Sequence, residues 1–146
     1  MKKKLSLIVL TITTLILQII PYSAVLVFAI MDPETNQVVK SPAFYSYFDP
    51  INLGYANFGV FVAAILTVLI LVLTVLYLFN NKIEMIITIT SSFAMITSTF
   101  QVLLFLQYVH IIGYIIPVLL LIVAIISLLR PKDNNWLIKR QEVNNS

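Results

Sequence analysis

Four uninterrupted apolar runs, none with a Lys, Arg, Asp or Glu inside it, are what most limit the fold of this chain. They cover residues 5–31, 58–79, 85–106 and 111–129, so each is 19 to 27 residues long. A helix rises about 1.5 Å per residue, and about 20 residues cross the ~30 Å hydrocarbon layer of a bilayer. The runs are rich in β-branched residues, which favour strands in water. A bilayer, however, admits only helices or closed barrels, and the period-2 alternation of barrel strands is missing. Only 10% of the residues are charged and 60% are hydrophobic, too few charges to cover a water-facing surface. The expected fold is all-α: one domain, 1–146, forming a four-helix transmembrane bundle, with an aromatic-rich outer loop at 32–57 and a polar tail at 130–146.

The basic residues set the expected orientation. With the amino terminus inside, Lys2, Lys3, Lys4, Lys82, Arg130, Lys132, Lys139 and Arg140 are cytoplasmic and Lys40 alone is outside. This matches the positive-inside bias and puts both termini in the cytoplasm. The first run also resembles a signal peptide with three lysines ahead of it, and cleavage after residue 24 or 29 is the alternative. The run is longer than the usual 7–15-residue apolar core of such peptides, which favours an anchor.

Lipid tails are as apolar as leucine, so helices associate through small residues and polar contacts. Projected at 100° per residue, Gly59, Ala63 and Thr67 share one face of the second run. Thr90, Ala94 and Ser98 recur at four-residue intervals in the third, and Gly113 and Ala124 share a face of the fourth. Thr11, Thr14 and Gln18 align in the first. Gln18 and Gln101 are the strongest hydrogen-bonding groups at membrane depth. They either line a polar pathway or serve as glue between helices, since Ser and Thr can also return their hydroxyls to the preceding turn.

Nothing in the pattern assembles a catalytic or metal site. Intramembrane ionisable groups mark pumps and proton relays, and here His110 stands alone at the predicted outer edge. One His cannot hold zinc, which takes three or four ligands. Asp32, Glu34 and Asp49 match no calcium loop. There are no cysteines. The expectation is a non-enzyme without cofactors and without a nucleic-acid partner, because the basic residues flank apolar runs and form no stripe.

The outer loop is the most distinctive segment, with six aromatics between residues 44 and 58. Tyr45, Tyr47, Phe48, Asp49 and Tyr55 are its candidate contact residues. Amphipathic rings favour the membrane boundary, and exposed ones anchor partners. The stretch at 45–50, YSYFDP, followed by GYANFG at 54–59, resembles a segment of small four-helix membrane proteins of Gram-positive bacteria. That group has no assigned activity, and the resemblance implies a bacterial plasma membrane without supplying functional residues. In the tail, Trp136, Leu137 and Ile138 sit among basic residues that favour the inner leaflet. The expected role is a structural or accessory membrane protein working through helix contacts with a membrane complex or itself. The alternatives are a small transporter or channel component, and an immunity or stress-sensing protein.

Overall fold

The computed structural model describes residues 2–34, 37–50 and 58–129. Helix α1 spans Lys2–Ile19, strands β1 and β2 span Ala24–Met31 and Val38–Tyr45, and helix α2 spans Phe58–Tyr77. A 3-10 turn at Asn81–Ile83 leads into α3, Glu84–Leu104, and α4 is Ile111–Leu128.

The fold is therefore not all-α, and the expected four-helix transmembrane bundle is corrected in its first run. Residues 5–31 do not form one helix. Pro21 lacks an N–H and disfavours helical geometry in Ile20 before it, and α1 stops at Ile19. Tyr22 then takes a left-handed conformation, φ 80°, that turns the chain. The β-branched and aromatic sequence AVLVFAIM becomes β1, which pairs antiparallel with β2 from Ala24↔Tyr45 to Met31↔Val38. The supposed outer loop 32–57 thus contributes a strand. Its tip is pinned where Asp32 N–H donates to Gln37 O (2.9 Å) and Glu34 N–H donates to Asp32 Oδ1 (3.0 Å). A two-stranded ribbon is neither a helix nor a closed barrel, the structures that cross hydrocarbon with their own backbone groups satisfied, so the ribbon belongs to the aqueous side or the interface.

Three helices, α2, α3 with its leading turn, and α4, are long and apolar enough to cross a membrane. This is a membrane protein by that criterion. Helix α1 differs: lysines fill its first turn, and the apolar part from Leu5 to Ile19 rises only about 22 Å.

The four helices alternate in direction and pack in a ring, α1 on α2 and α4, and α3 on α2 and α4. Their buried residues follow steps of three and four. They are Leu7, Thr11, Thr14 and Gln18 in α1, and Ile87, Ser91, Ala94, Ser98 and Gln101, with Val102 beside the last, in α3. In α4 they include Gly113, Ile116, Leu120, Val123 and Ser127. That is the spacing of a coiled-coil seam, which keeps one stripe of each helix facing inward. The other faces carry exposed Ile, Leu, Val and Phe, as lipid-facing surfaces do.

The two ends of the ring differ in chemistry. At one, the Lys3 ammonium reaches across to the Glu84 carboxylate and to the carbonyls of Ser127 (3.0 Å) and Leu129, joining α1, α3 and α4. At the other, the ribbon sits over the helices. Its proximal residues Ala24, Val25 and Leu26 are buried, whereas Ala29, Ile30, Met31, Val38, Val39 and Lys40 are exposed.

Candidate functional site

A buried polar cluster lies where the ribbon meets the helices. Gln18 lies in the last turn of α1, so its carbonyl has no helical donor to accept from. Two groups from beyond the helix supply donors: the backbone N–H of Tyr47 (2.9 Å) and the hydroxyl of Ser23 (3.1 Å). The ribbon and the segment after it are thereby keyed onto the end of α1. The side chain of Gln18 points inward and its Nε2 donates to Thr67 Oγ1 on α2 (3.0 Å), which itself donates to Ala63 O (2.8 Å). From α3, Gln101 Nε2 donates to Ser23 O (3.4 Å). The Tyr47 hydroxyl meets Ser98 Oγ at 2.8 Å. Tyr47, Gln18 and Gln101 are all but sealed from the surface, at 0, 0 and 1% exposure. Burial pushes the Tyr47 phenol up to about 12, against the opposing pull of the Ser98 hydrogen bond, so this group is neutral at any physiological pH.

The cluster is short of donors. Thr67 spends its proton on Ala63 O, and Gln101 needs its amide nitrogen for Ser23 O. Flipping either amide would therefore lose a bond without gaining one. The Oε1 atoms of Gln18 and Gln101 remain buried with no hydrogen-bond partner among the described residues. A buried acceptor left without a donor costs about 1–3 kcal/mol. The remaining hydroxyls are mostly committed locally: Thr11 to Leu7 O, Thr14 to Leu10 O and Ser91 to Ile87 O, all at 2.7–2.8 Å.

Of the sequence-derived packing residues, Ala63, Thr67, Ala94, Ser98, Gly113 and Ala124 are buried, while Gly59 and Thr90 are half-buried. Gly59 faces Thr97 O on α3, and Gly113 lies against Val109, Ser23 O and Gln101. These small-residue faces are filled by the chain's own helices. The outer-loop candidates are not displayed together on the surface. Tyr47 is buried, Tyr45 and Phe48 pack against the core, Asp49 is half-buried, and Tyr55 lies outside the described residues. The tail residues Trp136, Leu137 and Ile138 also lie outside them. His110 sits on the rim with its ring 5.7 Å from that of Tyr22, which in turn is 5.5 Å from Phe44.

Two participants escape helix-by-helix projection. Ser23 is a single hydroxyl in the break after Pro21, and Tyr47 looks interfacial until its partner Ser98 is known. The dip in hydropathy at 21–23, Pro-Tyr-Ser, is the one local sign of this junction. Chemically, the cluster can hold groups by neutral hydrogen bonds but has no ionisable side chain that titrates near neutrality. Among the described residues no three His, Cys, Asp or Glu side chains gather into a metal site. The chain matches no family model, and no curated protein or solved structure is significantly similar to it.

Proposed function

We propose that this is an accessory protein of the bacterial plasma membrane, anchored by its helices and making its partner contacts through the β ribbon. One observation carries the reading. The distal ribbon holds Ile30, Met31, Val38 and Val39 at 50–65% exposure, grouped on both strands. Clustered exposed apolar side chains of this kind mark surfaces that meet a partner. The small-residue helix faces, the other contact surface expected, are already taken up inside the chain. Positive charge supports a cytoplasmic basic end: Lys2, Lys3, Lys4 and Lys82 lie at the end opposite the ribbon, which carries Lys40.

A photo-crosslinking residue placed at Val39 in intact membranes tests this. The expected result is a protein adduct of defined mass, twice the chain's own mass if the partner is a second copy. A lipid-facing control at Val72 should yield no protein adduct. Adducts at Val72 and none at Val39 would return the contact to the helices and overturn the reading.

The two donor-less glutamine carbonyls favour a second reading, a small transport component whose solute donates hydrogen bonds at Gln18 and Gln101. In proteoliposomes, Gln101→Leu should then abolish a flux that wild type supports. Because the change also removes an unsatisfied acceptor, stability should shift by less than about 1 kcal/mol. Wild-type protein that carries no flux of ions or small polar solutes ends this reading.

A further inference from the structure

We propose that the basic end of the bundle binds the phosphate headgroup of an anionic phospholipid. A cavity of about 760 Å³ opens there between the start of α1 and the end of α2, walled by Lys2, Lys4, Leu5, Ile8, Leu78 and Asn81. Lys3, Tyr77 and Glu84 complete it.

The charges in it do not cancel. Glu84 is taken up by its ion pair with Lys3. With three ammonium groups and one carboxylate, 3 − 1 leaves two positive charges, on Lys2 and Lys4. Lys4 is held in place rather than neutralised: it donates to Leu78 O at 3.1 Å and its Nζ stands 4.8 Å over the Tyr77 ring. An ammonium has three N–H donors, so Lys4 keeps capacity for a phosphate oxygen. Asn81 adds a neutral donor at the rim.

The walls choose among phosphates. Leu5, Ile8 and Leu78 continue from the charged rim along the apolar surfaces of α1 and α2. A soluble phosphate gains nothing from them, whereas an acyl chain does. The α2 end at Tyr77 and the α3 start at Glu84 put the charged rim at the level where a bilayer carries its headgroups. A zwitterionic headgroup would bring its own ammonium against Lys2 and Lys4, so the site favours a lipid with net negative charge.

The test is native mass spectrometry of the full chain in mild detergent, offered phosphatidylglycerol and phosphatidylcholine with matched acyl chains. A lysine close to an anionic headgroup contributes roughly a factor of five, so Lys2 and Lys4 together should give roughly thirtyfold preference for phosphatidylglycerol. The double change Lys2→Gln, Lys4→Gln should erase it, Lys2→Arg with Lys4→Arg should keep it, and Lys40→Gln at the opposite end should leave it untouched. Equal retention of the two lipids by wild type overturns the proposal, whatever the variants do. Preference surviving the double Gln change also overturns it. Competition by millimolar inorganic phosphate as effective as that by phosphatidylglycerol would assign the site to soluble phosphate instead.

Discussion

Replacing Tyr47 by alanine is expected to destabilise the protein by about 3–5 kcal/mol, the range for deleting a fully buried aromatic ring. The ring has no exposure, and it stands among the core side chains under the ribbon. Its backbone N–H also closes the end of α1 through Gln18 O. Alanine keeps that backbone bond, so the loss comes from the cavity and from the Ser98 hydroxyl contact. The two causes separate with Tyr47→Phe, which keeps the ring and removes the hydroxyl. Side-chain hydrogen bonds between membrane helices average about 0.6 kcal/mol, and Ser98 can turn to the carbonyl of Ala94 as Ser91 turns to Ile87. Phenylalanine should therefore cost under about 1 kcal/mol. Unfolding titrations from mild detergent into SDS, followed by circular dichroism, give both values. Similar losses for the two variants would mean that the hydroxyl, and not the ring, holds the ribbon to the helices.

The same residue shows where the sequence could be read and where it could not. Spans α2, α3 and α4 emerge within about two residues of the apolar runs, because hydrophobic length is a local property and lipid leaves no competing structure. The run at 5–31 misled for the same reason. Hydropathy scores Ala24–Met31 as it scores a helix, although Pro21 and Tyr22 have already ended α1. What makes that stretch a strand is a partner strand beyond the turn, with Ala24 pairing as far on as Tyr45. Non-local pairing leaves no mark on a hydropathy profile. Projection on single helices picked out Gln18 and Gln101 as polar residues at depth, yet they are joined through Ser23, with Tyr47 linking Gln18 to Ser98, and neither Ser23 nor Tyr47 belongs to a helix. On α3, an idealised four-residue step selects Thr90, which is half-buried, whereas the alternating step of four and three selects the buried Ser91. The difference is the drift of a straight helix against a coiled seam.

That seam makes the second large expected effect a matter of backbone spacing. A Cβ built on Gly59 falls 2.8 Å from Thr97 O, closer than a carbon and a carbonyl oxygen can approach. The obstacle is backbone in the middle of α3, so no rotamer change relieves it, and α2 and α3 must move apart where they pack along their length. Overpacking of this kind costs about 1–3 kcal/mol. Helix propensity works the other way, with alanine up to about 1 kcal/mol better than glycine in a helix interior. Gly59 is the second residue of α2, where less of that gain is available, so Gly59→Ala should remain a net loss of about 1–2 kcal/mol. Gly59→Leu, adding further bulk against the same carbonyl, should lose 3 kcal/mol or about that. Gly113 provides the internal comparison. Its nearest obstacle, at 2.7 Å, is Val109 Cγ1, a side-chain methyl able to rotate, with Ser23 O next at 3.1 Å. Alanine there should cost less than at Gly59. The SDS unfolding midpoint of each variant decides the order, and a Gly59→Ala protein as stable as wild type would mean that this carbonyl does not set the approach of α2 to α3.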